Sequence, residues 1–449
     1  MEKFKHWLNA YFEVPARGST IGTEVLAGIT TFAALSYVLV VNPMILEQAG
    51  MDRPSLITAT ALSALIGTLI MALWANLPVA LAAGMGSNFI FAFVVVGQAG
   101  VSWQTALAMV FITGVIFVVL SLSRWREQII KGFPSEIQLG LQCAIGIFIA
   151  YIGLRSGGLV TSSEASLIAF GDIRQPHVLL TAIGLIATPI LLVKRIPGAF
   201  LLSIGLITLA GLFIPGADGK PLTKLPERLL AIPQLQSEML WAFDFGEFFD
   251  NFFLLLPIAL YFFMADFFST AATLIGVTRR GNLLTPDGSV PNARAAFTAD
   301  AVATVVGSAM GTSTVTSYIE SVTGIETGGR TGLTGLVVGF FFLLAMFFWP
   351  LFTIIPAQAV TPSLVLVGVL MLEGFTDMKS ETPEQTMTPL ITLLMTACTA
   401  DLMIGLASGC LTFTVIVAAR RAWHRLTPML IVLDISLLIY VALSARIAG

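Results

Sequence analysis

The sequence predicts an all-α polytopic membrane protein with 14 transmembrane segments, arranged as two inverted seven-span repeats. Only 11% of its 449 residues are charged, whereas soluble domains carry roughly 25%. The mean hydropathy is +0.91, and apolar blocks long enough to cross a bilayer recur from Glu24 almost to the C-terminus. So few charges exclude a soluble enzyme, a secreted disulfide scaffold and a nucleic-acid binder.

The first half of the chain contains seven apolar segments. Residues 1–23 precede them and lack the apolar region and cleavage site of a signal peptide, so we expect a cytoplasmic N-terminus and a first span that directs insertion. A loop rich in Pro, Lys and Glu, within 214–252, follows them and separates two near-equal halves. The predicted spans are 24–45, 55–75, 79–97, 102–122, 135–152, 178–193 and 199–213.

The second half continues with 253–277, 292–310, 311–329, 333–354, 359–372 and a long apolar segment, 387–418. As one helix the last segment would be about 48 Å long, against a hydrocarbon thickness of about 30 Å. One pass would leave Arg420, Arg421 and Arg425 outside. Two short passes, broken near residues 399–401, place these arginines inside, as the positive-inside rule favours. The spans then end near Ala419, and 426–449 is an extra apolar segment.

The third span of each half is interrupted by small and polar residues, GMGSN at 84–88 and GTSTVT at 311–316. Halves with an odd number of spans have opposite orientations in the membrane, which is the plan of many secondary transporters. Within a bilayer, irregular backbone persists only where protein or a cavity satisfies its polar groups. The paired interruptions therefore predict a binding site near the midplane. Close helix packing through small residues is the alternative.

Four carboxylates lie deep inside the predicted spans: Asp266, Asp300, Glu320 and Asp401. An Asp costs ~2.5–3.5 kcal/mol there, so each is a functional hypothesis by default. Glu320 follows the second interruption, and we expect it to act in the site. Asp300 is interpreted as a buried brace for the broken segments, and Glu24 as a structural residue at a helix N-terminus.

Asp266 begins a polar stripe on the eighth span, because Ser269, Thr270 and Thr273 follow it at i+3, i+4 and i+7. A stripe of this kind faces protein or a water-filled cavity rather than lipid. It is either part of a binding site or an interhelical hydrogen-bond seam, and the residues leave both readings open.

Other kinds of chemistry find little support in the sequence. The three cysteines lie in apolar stretches without the spacing of a metal site, and the three histidines lie outside the predicted spans. No arrangement of a nucleophile with a base is evident. We therefore expect no metal, no cofactor and no enzymatic activity.

Residues 311–333 read GTSTVTSYIESVTGIETGGRTGL. This run closely resembles the pattern of AzgA-like purine permeases, the hypoxanthine, adenine and guanine branch of the nucleobase–cation symporters, within the nucleobase–ascorbate transporter superfamily. TEVLAG at 23–28, Asn42-Pro43, the 84–88 run and TLIG at 273–276 also match. The resemblance covers essentially the whole chain, and the long 311–333 run makes it specific.

The resemblance implies the details of the fold. Residues 24–122 (spans 1–4) and 253–354 (spans 8–11) would form a core domain that carries the site. Residues 135–213 (spans 5–7) and 355–419 (spans 12–14) would form a gate domain beside it. Spans 3 and 10 would be half-helices preceded by short strands. A homodimer in the bacterial inner membrane is also suggested.

The resemblance further implies import of a nucleobase with protons, by an elevator or rocking motion of core against gate. It carries over Glu320 as the residue that hydrogen-bonds the base, Asn88 as a polar residue near it, and Phe89 as a ring that packs on it. Glu320 and Asp266 are the candidates for the coupling proton. The full expected substrate-binding set is Glu320, Asn88, Phe89, Asp266, Ser269, Thr273, Ser87, Ser313 and Thr314.

One departure from the family pattern leaves an alternative open. The eighth span of the family usually reads Asp-Thr-x-Gly-Thr-Leu, whereas Ser269 stands here for the carboxylate and Ala272 for the glycine. Without that carboxylate, half-helix N-termini are more hospitable to an anion. Another polar or anionic solute on the same fold is therefore the alternative to a purine. A channel is a further class, although broken helices lined by carboxylates suit binding and release better.

Overall fold

A computed structural model describes residues 2–123, 134–163, 167–196, 198–216, 219–285, 289–377 and 381–447. Residue 1 and residues 448–449, at the ends of the predicted segments 1–23 and 426–449, lie outside this description. The described chain is mostly helical, and nine of its helical segments are long and apolar enough to cross a membrane. The predicted multi-pass class is confirmed. The nine segments are Ile21–Glu47, Arg53–Ala75, Trp103–Leu122, Ser135–Ser156, Pro176–Val193, Phe252–Arg280, Gly332–Thr353, Ala357–Phe375 and Leu402–Ala419.

Five of the 14 predicted spans are not among these nine segments. The predicted tenth span, 311–329, contains only a three-residue strand and the six-residue helix Ser321–Glu326. Met85–Gln98 and Ala199–Ala210 are apolar but shorter than a full bilayer crossing. Ala293–Ala309 and Pro383–Thr399 have 17 residues each and carry more polar side chains. Length and composition alone therefore do not identify these segments as spans.

The first half begins with a helix that precedes the first apolar segment. Its helices are α1 (Glu2–Phe12), α2 (Ile21–Leu35), α3 (Val38–Glu47), α4 (Arg53–Ile70), α5 (Met85–Phe89), α6 (Trp103–Leu122), α7 (Ser135–Ser156), α8 (Pro176–Val193) and α9 (Ala199–Ala210). Polar side chains start several of them: the Thr20, Asp52 and Ser102 side chains accept from backbone N–H groups of the first turn. The predicted span 24–45 is interrupted after Leu35, so that α2 and α3 meet at Ser36 and Tyr37.

The second half begins at a short helix before the eighth predicted span. Its helices are α10 (Phe245–Asp250), α11 (Phe252–Arg280), α12 (Ala293–Ala309), α13 (Ser321–Glu326), α14 (Gly332–Ala345), α15 (Trp349–Thr353), α16 (Ala357–Met371), α17 (Pro383–Thr399), α18 (Leu402–Ala419) and α19 (Pro428–Ile447). The last helix is formed by the extra apolar segment, and it packs against α11 and α18.

At each sequence interruption the chain forms a short strand followed by a short helix, which extend beyond the interruption itself. Strand β1 (Leu81–Ala83) precedes α5, and strand β4 (Val315–Ser317) precedes α13. The two strands pair antiparallel, with Ala82 opposite Thr316, and every residue of both is buried. Because each strand satisfies the backbone groups of the other, irregular chain can persist inside the apolar core. The pairing brings together two segments that are far apart in sequence.

A second pair of strands was not predicted from the sequence. Strands β2 (Val160–Ser163) and β3 (Leu167–Phe170) pair antiparallel between the predicted spans 135–152 and 178–193. This corrects the purely helical expectation outside spans 3 and 10. The strands are too short for a clear alternating pattern, and their backbone pairing rather than burial stabilises them.

The long apolar segment near the C-terminus is broken where the charge pattern predicted. Helix α17 ends at Thr399, Ala400 has a φ of 51°, and the Asp401 side chain caps α18 by accepting from the N–H groups of Met403 and Ile404. The two helices pack closely against each other: a Cβ at Gly405, on α18, would overlap the side chain of Thr396, on α17. The break at 399–401 is confirmed.

Candidate functional site

A cavity of about 990 Å³ lies between two groups of segments. Its volume is at the upper end of the range typical of small-molecule sites, about 300–1,000 Å³. One wall comes from α5, α11 and the chain around β4 and α13, and the other from α7 and the end of α16. The polar lining residues are Ser87, Gln138, Gln142, Tyr261, Asp266, Ser269, Thr273, Thr316, Glu320 and Glu373.

Glu320 lies in the cavity wall between β4 and α13. Its Oε1 atom accepts a hydrogen bond of 2.8 Å from the hydroxyl of Tyr37, which stands at the junction of α2 and α3. Tyr37 is almost completely buried. The interruption of the first span therefore places a phenol against the carboxylate and fixes its orientation, while Glu320 remains in contact with the cavity.

Helix α11 supplies the polar stripe to the same cavity. Asp266, Ser269 and Thr273 line it, whereas Thr270 faces the strands, where its hydroxyl donates to Asp300. Thr270 therefore belongs to an interhelical hydrogen-bond seam, and the binding role of the three cavity-lining residues stays a prediction. Asp266 Oδ2 accepts from the Thr304 hydroxyl at 2.8 Å. Within the described chain, its buried Oδ1 atom has no hydrogen-bond partner.

Asp300 braces the strand region, as the sequence analysis expected. It accepts from the N–H of Ser317 at 2.7 Å, from the Ser317 hydroxyl at 2.6 Å and from the Thr270 hydroxyl at 2.6 Å. The Thr270 hydroxyl is also within hydrogen-bond distance of Thr316. Because Asp300 is fully buried and joins α11, α12 and β4, it stabilises the wall that carries the cavity.

The structural reading of Glu24 is also confirmed. This fully buried carboxylate, in the first turn of α2, accepts from the N–H groups of Arg330 and Thr331 and from the Thr334 hydroxyl. These groups belong to the start of α14 and the chain before it. Glu24 thus connects α2, in the first half of the chain, with α14 in the second half, and it does not line the cavity.

Four residues of the expected binding set lie outside the cavity lining. Asn88 hydrogen-bonds with Asn42 and Ser313, deep in the packing of α3 against the strand region. Phe89 stacks on Phe93, with the ring centroids 5.7 Å apart. The structure thus brings Ser87, Asp266, Ser269, Thr273 and Glu320 together around the cavity but does not bring Asn88, Phe89, Ser313 or Thr314 into its lining.

The opposite wall contains functional candidates that sequence reasoning missed. Gln138, Leu141, Gln142 and Ile145 share one face of α7, spaced i, i+3, i+4 and i+7. Two glutamines on an otherwise apolar span are the signal that could have indicated them. Tyr261 on α11 was also missed: its buried hydroxyl has no hydrogen-bond partner within the described residues.

All the ionisable side chains with a charge at neutral pH among the described lining residues are acidic. Asp266, Glu320 and Glu373 contribute carboxyl groups, whereas no Lys, Arg or His occurs among the described residues that line the cavity. Hydroxyl and amide groups complete the polar part, and Met, Phe, Leu and Ile side chains complete the apolar part. Such a site offers hydrogen-bond acceptors and flat apolar walls, and it holds no cationic side chain for an anion.

Comparison with known proteins identifies the family. Residues 22–440 match the model of the Permease family, which includes nearly the whole chain. The chain belongs to this family. This permease is 35% identical over 429 residues to the guanine/hypoxanthine permease PbuO of Bacillus subtilis, covering 94% of this chain and 98% of that one. It is 36% identical over 428 residues to the adenine permease AdeQ of Escherichia coli, covering 95% and 94%.

The fold of this permease also occurs among solved transporters. It matches the transmembrane domain of the cyanobacterial bicarbonate transporter BicA with a TM-score of 0.65 and 16% identity, covering 86% of this chain and 97% of that domain. At this identity the likeness concerns the fold alone. The resemblance seen in the 311–333 run is confirmed by the full-length relatives, and the chain is a multi-pass membrane transporter rather than an enzyme.

Proposed function

We propose that this permease imports a purine nucleobase, such as adenine, guanine or hypoxanthine. The observation that carries the proposal is Glu320, oriented by Tyr37 in a cavity whose described lining has no basic side chain. The similarity to guanine/hypoxanthine and adenine permeases over more than 90% of each chain supports the same class of substrate.

The cavity suits the chemistry of a purine. The edge of a base carries N–H donors and carbonyl or ring-nitrogen acceptors, so a carboxylate pairs with its donors and hydroxyl groups with its acceptors. Glu320 would accept from N–H groups, and Ser87, Ser269 and Thr273 would donate to the acceptors. Apolar side chains such as Phe268 would cover the ring faces.

The alternative is another polar or anionic solute, prompted by Ser269 at the position of a family carboxylate. The lining disfavours an anion, because Asp266 and Glu320 face the cavity and no described lining residue is basic. A neutral polar solute remains the stronger form of the alternative. It would bind in the same cavity, so competition experiments separate the two.

Transport would use proton symport and an elevator-type motion. The two cavity walls come from the segments assigned to the core (24–122 and 253–354) and to the gate (135–213 and 355–419), so relative movement of the two parts would expose the site alternately. Glu320 and Asp266 would take up the coupling proton. The proposal includes 14 spans in two inverted repeats, a cytoplasmic N-terminus, a bacterial inner-membrane location and a homodimer.

The proposal is tested by uptake of labelled adenine, guanine and hypoxanthine into proteoliposomes that contain the purified protein. We expect saturable uptake that an inward proton gradient accelerates and a proton ionophore abolishes. Glu320→Gln should abolish uptake. Glu326→Gln is the matched control, because Glu326 lies on the same segment but forms an exposed ion pair with Arg280 and does not line the cavity.

Three outcomes would each contradict one part of the proposal. Competition by a non-purine solute but by none of the three bases would favour the alternative substrate. Uptake by Glu320→Gln at the rate of the unmodified protein would show that Glu320 is not needed for binding or transport, whatever the substrate. If a sodium gradient accelerates uptake and a proton gradient does not, the coupling ion is sodium rather than the proton. The proposed substrate class would be unaffected by that result.

A further inference from the structure

The amide of Gln142 has a fixed orientation at the edge of the cavity. Its Nε2 atom donates to the backbone carbonyl of Met371 at 3.1 Å. A carbonyl oxygen only accepts hydrogen bonds, so the nitrogen of the amide must face Met371. The amide oxygen is therefore turned away from Met371.

Met371 lies at the end of α16, where the chain continues directly into the 3₁₀ helix Leu372–Asp377. Two neighbouring side chains of α7 contact its carbonyl oxygen: Gln142 Nε2 lies at 3.1 Å and Cys143 Sγ at 3.9 Å. The 3₁₀ helix also lies close to the amide, since a Cβ at Gly374 would stand 3.6 Å from Gln142 Nε2. The position of Gln142 is thus set by packing between two segments of the gate side.

The cavity of about 990 Å³ has room for a base that is bound by Glu320 at one edge and faces α7 with the other. Gln142 lies on the wall opposite Glu320 and Ser269. It is a solvent-accessible side chain within the lining, and its oxygen is a hydrogen-bond acceptor that cannot exchange places with the nitrogen without losing the bond to Met371. An acceptor with a fixed direction selects ligands that carry a donor at that place.

We propose that Gln142 is a specificity-determining residue of this permease, whose amide oxygen accepts a hydrogen bond from an exocyclic amino group of the bound base. The inference rests on the proposed function and deepens it. It predicts preference for aminopurines over otherwise identical bases that lack the amino group. A site built to bond a polar group rejects the analogue that lacks it, because the site's own group is then left unpaired.

The test uses two pairs of bases that differ only by one amino group: adenine with unsubstituted purine, and guanine with hypoxanthine. Apparent affinities are measured by competition in proteoliposomes with the full-length protein. The unmodified protein should bind the amino-bearing member of at least one pair about tenfold more tightly. This ratio corresponds to the net free energy of about one hydrogen bond. Gln142→Leu should abolish this preference, and Gln142→Glu, which keeps an oxygen acceptor, should retain it.

The thermal midpoint of each variant separates a structural role from recognition. Loss of the bond to Met371 lowers the stability of both Gln142 variants. If Gln142 had only a structural role, its substitution would lower the affinity for all four bases equally. Gln98→Leu, an exposed glutamine outside the cavity lining, controls for the substitution itself. An unchanged preference in Gln142→Leu, or no preference in the unmodified protein, would overturn the role of Gln142 but not the proposed function. If none of the four bases competes with the unmodified protein, the proposed function fails as well.

Discussion

The hydroxyl of Tyr37 donates to Oε1 of Glu320 across 283 positions of sequence, at 2.8 Å. The ring of Tyr37 also packs against Phe200 of α9, with the centroids 5.1 Å apart. One side chain therefore contacts the proposed substrate-binding carboxylate and a helix of the proposed gate. This arrangement links the site to the part of the molecule that would move against it.

The first prediction concerns this hydrogen bond. Tyr37→Phe removes the hydroxyl but keeps the ring and its contact with Phe200. We expect the protein to fold and the KM for adenine uptake to rise about tenfold, because the Glu320 carboxylate loses the partner that orients it. Tyr11→Phe is the control, since the exposed hydroxyl of Tyr11 donates to the Leu73 carbonyl, far from Glu320 in the chain and outside the cavity lining. A KM unchanged by Tyr37→Phe would show that this bond does not position Glu320.

The second prediction concerns the buried brace. Asp300→Asn replaces one acceptor oxygen by a donor, and the Ser317 and Thr270 groups then lose partners inside the protein. Each buried polar group left unsatisfied costs about 1–3 kcal/mol, so the thermal midpoint in detergent should fall clearly. Asp172→Asn, on an exposed turn, should leave the midpoint unchanged. Equal midpoints for the two variants would contradict the bracing role.

The third prediction concerns pH and a carboxylate outside the membrane-spanning helices. Hydrogen bonds from the Ser102 and Thr105 hydroxyls lower the pKa of Glu247, on the short helix α10, below its usual value of 4.5. Because the folded-state pKa lies below the unfolded one, this stabilisation is present at neutral pH and is lost as the pH falls through the folded pKa. The thermal midpoint of the unmodified protein should exceed that of Glu247→Gln at pH 7.

The same comparison at acidic pH completes this test. Between pH 5 and pH 3 the difference between the two midpoints should shrink. Asp250→Asn, at the exposed end of the same helix, controls for general effects of acid on the detergent-solubilised protein. A difference that stays constant over this range would mean that ionised Glu247 does not stabilise the fold. Solvent screening at this partly exposed site keeps the expected effect small.

Sequence patterns predicted the features that depend on local chemistry and charge. The break at 399–401 followed from the basic residues beyond it, and the bracing role of Asp300 followed from its place next to a broken segment. A buried carboxylate must find donors, and irregular backbone supplies them. These inferences needed only the cost of placing polar groups in an apolar environment.

The cavity wall formed by α7 could not be predicted in the same way. Gln142 and Tyr261 lie on apolar helices, and which face of such a helix meets the cavity depends on contacts between segments far apart in sequence. The family resemblance placed Asn88 near the ligand. In the structure Asn88 hydrogen-bonds with Asn42 and Ser313, and its neighbour Ser87 lines the cavity. Such a network joins segments far apart in sequence, so the local pattern does not reveal it.

The last prediction tests the proposed motion through the contact of Gly86 with Ile145. A Cβ at Gly86, on α5, would lie 3.1 Å from Ile145 Cγ2, on α7, so cysteines at both positions are close enough for a disulfide. With the exposed Cys398 replaced by Ser, oxidation should stop adenine uptake and a reductant should restore it. A disulfide between Ala72→Cys and Gly335→Cys, both within the proposed core, should leave uptake unchanged. Continued uptake by the oxidised 86–145 pair would exclude movement between these two walls.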